Sequence, residues 1–143
     1  MVTQARRSES ELKLHAKDFI NFTSVLMDLA TELPDRTTVS QLVAFLAIAN
    51  YDLQGRPTTM VDLREALGPS LGKSLHTTYQ IFLDRELRRN DRPTVKGLGW
   101  LTQEPDRSDY RRNYLHLTAE GREVMRDLLI NLKAPEHGIE AEA

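Results

Sequence analysis

Polar side chains recur along one face of a helix that the sequence predicts from Lys73 to about Leu87. With about 100° of rotation per residue, this face and its flanks hold Lys73, Ser74, His76, Thr77, Gln80 and Asp84, and the opposite face holds Leu75, Tyr79, Phe82 and Glu86. Ammonium, amide and hydroxyl groups form hydrogen bonds with the base edges and phosphates of nucleic acids. A solvated surface helix has the same composition, so the pattern by itself favours the two interpretations equally.

Local signals place this helix directly after a tight turn. Thr59 is typical of the N-cap of a short helix from Met60 to Leu67, which Gly68 and Pro69 end. Residues 99–104 and 111–118 then predict two strands around a turn, with Leu115 and Leu117 on one face. Two short helices followed by a two-stranded hairpin have the element order of a winged helix-turn-helix.

Longer helices are predicted on both sides of this region. A capping box of Ser8 and Glu11 begins the first, whose apolar residues recur at three- and four-residue steps as far as Leu33, before Pro34. Thr118 begins the last helix, whose apolar side includes Val124, Met125, Leu128, Leu129 and Leu132. A seven-turn helix in so small a domain favours a second chain that covers its apolar stripe; packing within its own domain is the alternative.

The centre of the domain is predicted to be a helix that begins at a capping box of Thr38 and Gln41 and is apolar on most sides. Trp100 and Tyr79 are expected to pack in the same core. The sequence therefore predicts a mainly α fold with a small β-hairpin (α+β). Its divisions are an N-terminal dimerisation helix (residues 1–35), a winged helix-turn-helix (36–118), and a C-terminal dimerisation helix with an acidic tail (119–143), whose residues from Pro135 onward are expected to be disordered.

Composition limits the function classes. The 143 residues include no cysteine, which removes thiol nucleophiles, disulfides and Cys-based metal sites. The four histidines are dispersed, and no nucleophile elbow or phosphate-binding glycine loop is present, so we expect no enzyme, no cofactor and no metal. Neither a secretory signal nor a membrane-spanning run is visible, which favours a cytoplasmic protein. The net charge is −2, yet residues 56–112 carry an excess of three positive charges.

The hairpin region contains Gly99-Trp100-Leu101, Glu104-Pro105-Asp106, Asp109-Tyr110-Arg111 and the run from Leu115 to Gly121. With these motifs it resembles the MarR-type winged-helix transcriptional regulators. These residues follow the family's order: a Gly-apolar-apolar strand, a proline-containing wing with Asp-x-Arg, and a return strand that ends in Leu-Thr-x-x-Gly. Including the helices, the resemblance covers roughly Glu9 to Lys133.

The resemblance implies a homodimeric, sequence-specific DNA-binding regulator that acts as a ligand-responsive repressor. Arg111 would enter the minor groove with Asp109 orienting it, and Arg107 and Arg112 would contact phosphates. It also implies a small aromatic or phenolic effector between the dimer region and the winged domain. The alternative, favoured by the negative net charge, is a winged-helix protein-interaction module without DNA binding. A small hydrolase or transferase is the third class, but it lacks a recognisable catalytic set.

One segment departs from the family pattern. Between Leu87 and Gly99 the chain is several residues longer than usual and contains Arg88, Arg89, Arg92 and Lys96. The insertion at Arg88–Leu98 is open to three interpretations: a longer recognition helix, an added basic contact to DNA, or a solvated loop. Because the segment is polar and punctuated by proline and glycine, a solvated loop is the favoured prediction.

Overall fold

The chain divides into two compact units, which we call the terminal unit (residues 1–35 and 126–143) and the central unit (residues 36–125). A computed structural model describes residues 9–89 and 92–133. In chain order its helices are α1 (Ala16–Glu32), α2 (Val39–Leu53), α3 (Met60–Gly72), α4 (Leu75–Thr78), a 3₁₀ helix (Gln80–Phe82) and α5 (Ala119–Lys133). Its strands are β1 (Thr58–Thr59), β2 (Glu86–Arg89), β3 (Arg92–Lys96), β4 (Leu101–Pro105) and β5 (Asn113–Leu117). Within the described ranges, no helix combines the length and apolarity that crossing a membrane requires.

In the terminal unit, the long N-terminal helix is confirmed, although it consists of two segments. Residues 9–14 are helical, and His15 separates them from α1. Leu33 is extended, as expected of a residue that precedes a proline. The side-chain amide of Asn21 donates a hydrogen bond to the carbonyl of Leu132, so α1 lies beside the C-terminal end of α5. Ser8 of the expected capping box and the acidic tail from Pro135 lie outside the described residues.

In the central unit, the predicted helix starts are confirmed. The Thr38 N–H donates to Gln41 Oε1 at 2.7 Å, and the Gln41 N–H donates to Thr38 Oγ1 at 3.1 Å, which completes the capping box. Thr59 Oγ1 accepts a hydrogen bond from the Asp62 N–H at 3.3 Å and caps α3. These polar caps place the starts of α2 and α3 where the sequence predicts them.

The predicted end of the first short helix at Gly68 is confirmed, but residues 70–72, expected to form the turn before Lys73, are helical. Gly68 has φ +81° and interrupts α3, and Pro69 begins its second part. A Cβ at Gly72 would lie 2.8 Å from the carbonyl oxygen of Arg64. The second part of α3 therefore folds back against the first at a distance that only glycine permits.

The helix predicted from Lys73 to about Leu87 is shorter than expected. Its residues form α4 and the 3₁₀ helix, and Leu83 is already extended. The carbonyls of Ile81, Phe82 and Leu83 accept hydrogen bonds from the N–H groups of residues 98, 100 and 99 at 2.7, 2.8 and 3.1 Å. A longer helix would need those carbonyls for its next turn. The helix therefore ends here, because the carbonyls pair with residues 98–100 instead.

The prediction of a solvated loop at Arg88–Leu98 is wrong. Strands β2 and β3 pair in an antiparallel hairpin, in which Glu86 faces Lys96 and Leu87 faces Val95. Glycine at position 97 completes the base of this hairpin: its N–H donates to the Arg85 carbonyl at 3.0 Å, and a Cβ there would collide with the Leu83 carbonyl oxygen. Proline and charged residues, which suggested a loop, are tolerated because both strands of a two-stranded ribbon are edges.

The second hairpin matches the sequence prediction. Strands β4 and β5 pair antiparallel, from Leu101 opposite Leu117 to Pro105 opposite Asn113. The short strand β1, which the sequence did not predict, extends the sheet in the order β1-β5-β4. Mainly helical structure with a small antiparallel sheet agrees with the α+β class.

An aromatic cluster forms the core of the central unit. The rings of Phe45 and Phe82 stack with centroids 4.9 Å apart, and Trp100 lies 5.2 Å from the first and 5.8 Å from the second. Trp100 and Tyr79 are 4% and 5% exposed, which confirms their predicted burial. The core therefore joins α2, the 3₁₀ helix and the start of β4 into one unit.

Candidate nucleic-acid interface

The base of the β4–β5 hairpin is held against the start of α5 by Gly99, Thr118 and Gly121. Thr118 Oγ1 donates to the carbonyl of Gly99 at 2.6 Å, and the Thr118 N–H donates to the carbonyl of Trp100 at 3.0 Å. Gly99 has φ +79°, and a Cβ at Gly121 would lie 2.1 Å from the Trp100 carbonyl oxygen. Each residue has its own physical reason: Thr118 supplies the hydroxyl, Gly99 adopts a positive φ, and Gly121 leaves room for the Trp100 carbonyl.

A buried polar cluster, which sequence reasoning missed, makes a second connection. Asp52 Oδ2 accepts the Leu117 N–H at 2.8 Å and lies 3.4 Å from Arg122 Nη2, and Asp52 Oδ1 lies 3.1 Å from His116 Nδ1. His116 Nε2 lies 3.2 Å from Glu104 Oε2 on the other side of the ring. The Asp52 side chain is 5% exposed, and these partners compensate for the burial of its charge.

The Asp52 cluster fixes α2, β5 and α5 relative to one another through a single carboxylate. His116, one of the four dispersed histidines, thus lies between two carboxylates, those of Asp52 and Glu104. The available signal was an aspartate within an apolar helix, which requires buried partners, but the sequence does not say which residues those are. Among the described residues, no group of three acidic or histidine side chains is arranged to hold a metal ion.

The loop at the far end of the hairpin, residues 106–112, is called the tip loop. Asp106 closes it, because its N–H donates to the Arg112 carbonyl at 2.8 Å. The Asp106 carboxylate accepts the N–H and the hydroxyl of Ser108, both at 2.9 Å, and the Tyr114 hydroxyl at 3.4 Å. The backbone N–H of Ser108 is the main reason that the pKa of Asp106 is held below its ordinary value of 3.8, with the Ser108 hydroxyl next. The tip loop is therefore an ordered turn.

A tight turn from Asp109 to Arg112 forms the outer part of the tip loop. The Arg112 N–H donates to the Asp109 carbonyl at 3.0 Å, and the Arg111 N–H donates to Asp109 Oδ1 at 3.0 Å. Tyr110 and Arg111 are consequently the two central residues of a β-turn. Asp109 thus acts on Arg111 through the main chain, whereas the resemblance implied that it orients the side chain.

Three exposed guanidinium groups share the tip loop: those of Arg107, Arg111 and Arg112. Arg112 Nη2 also lies 4.0 Å from Asp62 Oδ2 in the first turn of α3. With two acidic residues among the seven positions, the loop has a net positive charge. Such a concentration of planar cations on a fixed turn suits phosphates and the negative potential of a narrow groove.

The other predicted contact residues lie between the end of α3 and the 3₁₀ helix. Lys73, Ser74, His76 and Thr77 are exposed, and Gln80 is half-buried. Leu75 and Tyr79 are buried on the opposite side, as the helical wheel predicts.

Two of these polar groups already have partners within their own helical turn. Gln80 Nε2 donates to the His76 carbonyl at 2.7 Å, and Thr77 Oγ1 donates to the Ser74 carbonyl at 2.8 Å. The Tyr79 hydroxyl, on the buried side, accepts a hydrogen bond from Gln103 Nε2 at 2.9 Å and links this segment to β4. The two groups of predicted contacts therefore belong to one connected unit.

Comparisons of the chain with protein-family models, curated proteins and solved structures find no match.

Proposed function

We propose that this protein is a homodimeric, sequence-specific DNA-binding regulator of transcription, a winged helix-turn-helix repressor whose wing is the β4–β5 hairpin. The observation that carries the proposal is the tip loop. Its main chain is fixed by two carboxylates, and it presents Arg107, Arg111 and Arg112 to solvent. A pre-ordered cationic turn binds DNA without a large loss of conformational entropy.

The helical part of the central unit supports the same proposal. The Gly68 turn folds the two parts of α3 together, with Gly72 close to Arg64, and α4 follows directly. In a helix-turn-helix, the segment that follows the turn lies in the major groove. The segment from Lys73 to Gln80 supplies an ammonium group, hydroxyl groups, an imidazole and an amide for phosphates and base edges. Its shortness favours contacts from these few side chains over insertion of a long helix.

The terminal unit supports the homodimer. Its exposed large apolar side chains lie on residues 9–14, on α1 and on the end of α5: Leu12, Leu14, Phe19, Ile20, Phe22, Met27, Leu129, Ile130 and Leu132. An apolar surface of this extent is typical of an interface between subunits. A two-fold axis through it would present two wings and two helical segments to half-sites about 10 bp apart.

The direct test measures binding of the purified full-length protein to the DNA that flanks its own gene. We expect a two-fold symmetric footprint and a log affinity that falls linearly with log salt, because lysine and arginine release counterions from phosphates. Affinity that does not change between low and physiological salt would contradict the proposal and favour the protein-interaction module.

Arg111→Ala tests the position of the wing. We expect weaker binding to every duplex, by about tenfold or more for a guanidinium in a narrow groove, and most at A·T-rich flanks. Arg36→Ala is the matched control, since it removes an equally exposed arginine outside the tip loop. If Arg111→Ala and wild type bind the specific and scrambled duplexes with equal affinity, the wing does not contact the groove.

A further inference from the structure

Tyr110 is the most exposed large hydrophobic side chain among the described residues, at 84% of its surface. The other three tyrosines are covered to a much greater degree: Tyr79 is 5% exposed, and Tyr51 and Tyr114 are half-buried. A phenol ring in that position contributes little to folding, because burial of its apolar area is what would stabilise the chain. The ring is therefore accessible to a binding partner.

The backbone under Tyr110 is held in place. Tyr110 and Arg111 are the central residues of the turn that the Arg112 N–H closes on the Asp109 carbonyl at 3.0 Å. The Asp109 carboxylate holds the Arg111 N–H at 3.0 Å, and the Asp106 carboxylate holds Ser108 on the other side. The turn thus carries an exposed phenol ring and an exposed arginine on its two central residues.

This pair has the chemistry of a minor-groove wedge. The guanidinium is attracted to the narrow, negative groove of A·T-rich DNA. An adjacent apolar ring can pack on the sugars that form the groove walls and enter a base step, which it partly unstacks. Pyrimidine–purine steps, TA above all, open most easily.

We propose that the ring of Tyr110 inserts into the DNA minor groove beside Arg111, partly unstacks a pyrimidine–purine step and bends the duplex there. The inference rests on the proposed DNA binding, which it extends from a charge contact to a choice of base step. It assigns to Tyr110 a role in determining specificity. The Asp-x-Arg motif specifies no residue type at this position.

The test compares wild type, Tyr110→Phe and Tyr110→Ala on short duplexes of alternating A·T pairs and of alternating G·C pairs. Tyr110→Ala should lose about tenfold in affinity for the A·T duplex, the scale of one aromatic stacking contact, and much less for the G·C duplex. Tyr110→Phe keeps the ring and should stay close to wild type. Val39→Ala, an apolar truncation at a residue that is 76% exposed outside the tip loop, should bind as wild type does.

Permanganate oxidation of thymines gives a second readout that follows unstacking. Wild type and Tyr110→Phe should produce reactive thymines at the A·T step under the wing, and Tyr110→Ala should not. Because the ring is exposed, the melting temperature and the circular dichroism of Tyr110→Ala should match those of wild type.

The outcomes separate the two proposals. If Arg111→Ala weakens binding while Tyr110→Ala binds both duplexes as wild type does, with the same thymine reactivity, DNA binding stands and the wedge is overturned. If the wild-type protein binds neither duplex nor the DNA that flanks its own gene, the proposed function falls and the wedge with it.

Discussion

The terminal and central units differ in how far they bury their large apolar side chains. Among the described residues, the terminal unit buries Val25 and Leu29 and leaves nine large apolar side chains at least 41% exposed. Outside residues 86–95, the large apolar side chains exposed in the central unit are Val39, Leu53, Val61 and Tyr110, while an aromatic cluster and several leucines are buried. The central unit completes its own core, whereas the helices of the terminal unit present a surface that a second copy can cover. In the proposed dimer, the central unit would bind DNA and the terminal unit would pair the subunits.

The largest effect is expected from a charge placed on the terminal surface. Phe19 is 69% exposed in the single chain, so Phe19→Asp should leave the fold of one chain intact. A two-fold interface would bury Phe19 of both subunits, and burial of each phenylalanine side chain stabilises the dimer by about 2 kcal/mol. The dimer dissociation constant should therefore rise by a factor of about a hundred or more, measured by light scattering and by dilution in sedimentation experiments.

Two further variants delimit this prediction. Val39→Asp introduces the same charge at a position of the central unit that is 76% exposed, and it should leave the dimer unchanged. Removal of residues 1–33 should give a monomer or an aggregate. A well-folded dimer from that truncation, or from Phe19→Asp at low concentration, would contradict the assignment of the interface to the terminal unit.

The next effect concerns the stability of the central unit. Asp52→Ala removes the acceptor of the Leu117 N–H and the partner of His116 and Arg122. A buried donor without a partner and the loss of the paired charge should lower the free energy of unfolding by about 3 kcal/mol, measured by urea denaturation. Asp18→Ala, at an exposed site in α1, is the control and should cost little. Equal midpoints for the two variants would show that the cluster does not hold the central unit together.

The Asp52 cluster also shows where sequence reasoning ends. Thr38 with Gln41, Thr59 with Asp62, and the Gly68 turn depend on residues a few positions apart, and their geometry was predictable. Asp52 bonds groups that lie 64 to 70 positions away, and no local pattern indicates which residues these are.

The end of the helix that begins after Lys73 was unpredictable for the same reason. Local propensity allowed a helix to about Leu87, but the carbonyls of Ile81 and Phe82 accept N–H groups from residues 98 and 100. That pairing also converts the expected loop at Arg88–Leu98 into a hairpin. For the candidate interface, the sequence predicted the residue types and the approximate positions. It did not predict that Tyr110 and Arg111 are the two central residues of a turn closed by Asp109 and Arg112.

A smaller effect is expected at Gln80, which tests whether recognition extends from the tip loop to the helical segment. Its amide can pair with an adenine edge in the major groove, but its Nε2 must first leave the His76 carbonyl, 2.7 Å away. Gln80→Ala should therefore cost about 1 kcal/mol at the specific site and almost nothing on scrambled DNA. Parallel titrations of both duplexes at one fixed salt concentration measure the difference. An equal loss on both would assign Gln80 to folding or to phosphate contact rather than to base recognition.

The smallest effect concerns the acid stability of the tip loop. The pKa of Asp106 is lowered from 3.8, chiefly by the Ser108 N–H and then by the Ser108 hydroxyl. A carboxyl whose pKa is lower in the folded chain stabilises the fold fully above its unfolded pKa, and this contribution disappears as the pH falls through the folded value. Ser108→Ala keeps the N–H bond and removes the hydroxyl, so the pKa of Asp106 should move part of the way back toward 3.8 and the loop should lose order at a slightly higher pH. Ser108→Thr retains a hydroxyl, so Asp106 should titrate in this variant as it does in wild type. NMR of the Asp106 carboxyl carbon follows the titration in both variants. A titration of Ser108→Ala identical to wild type would mean that the N–H alone sets the pKa and that the hydroxyl is not needed to order the turn beneath Tyr110.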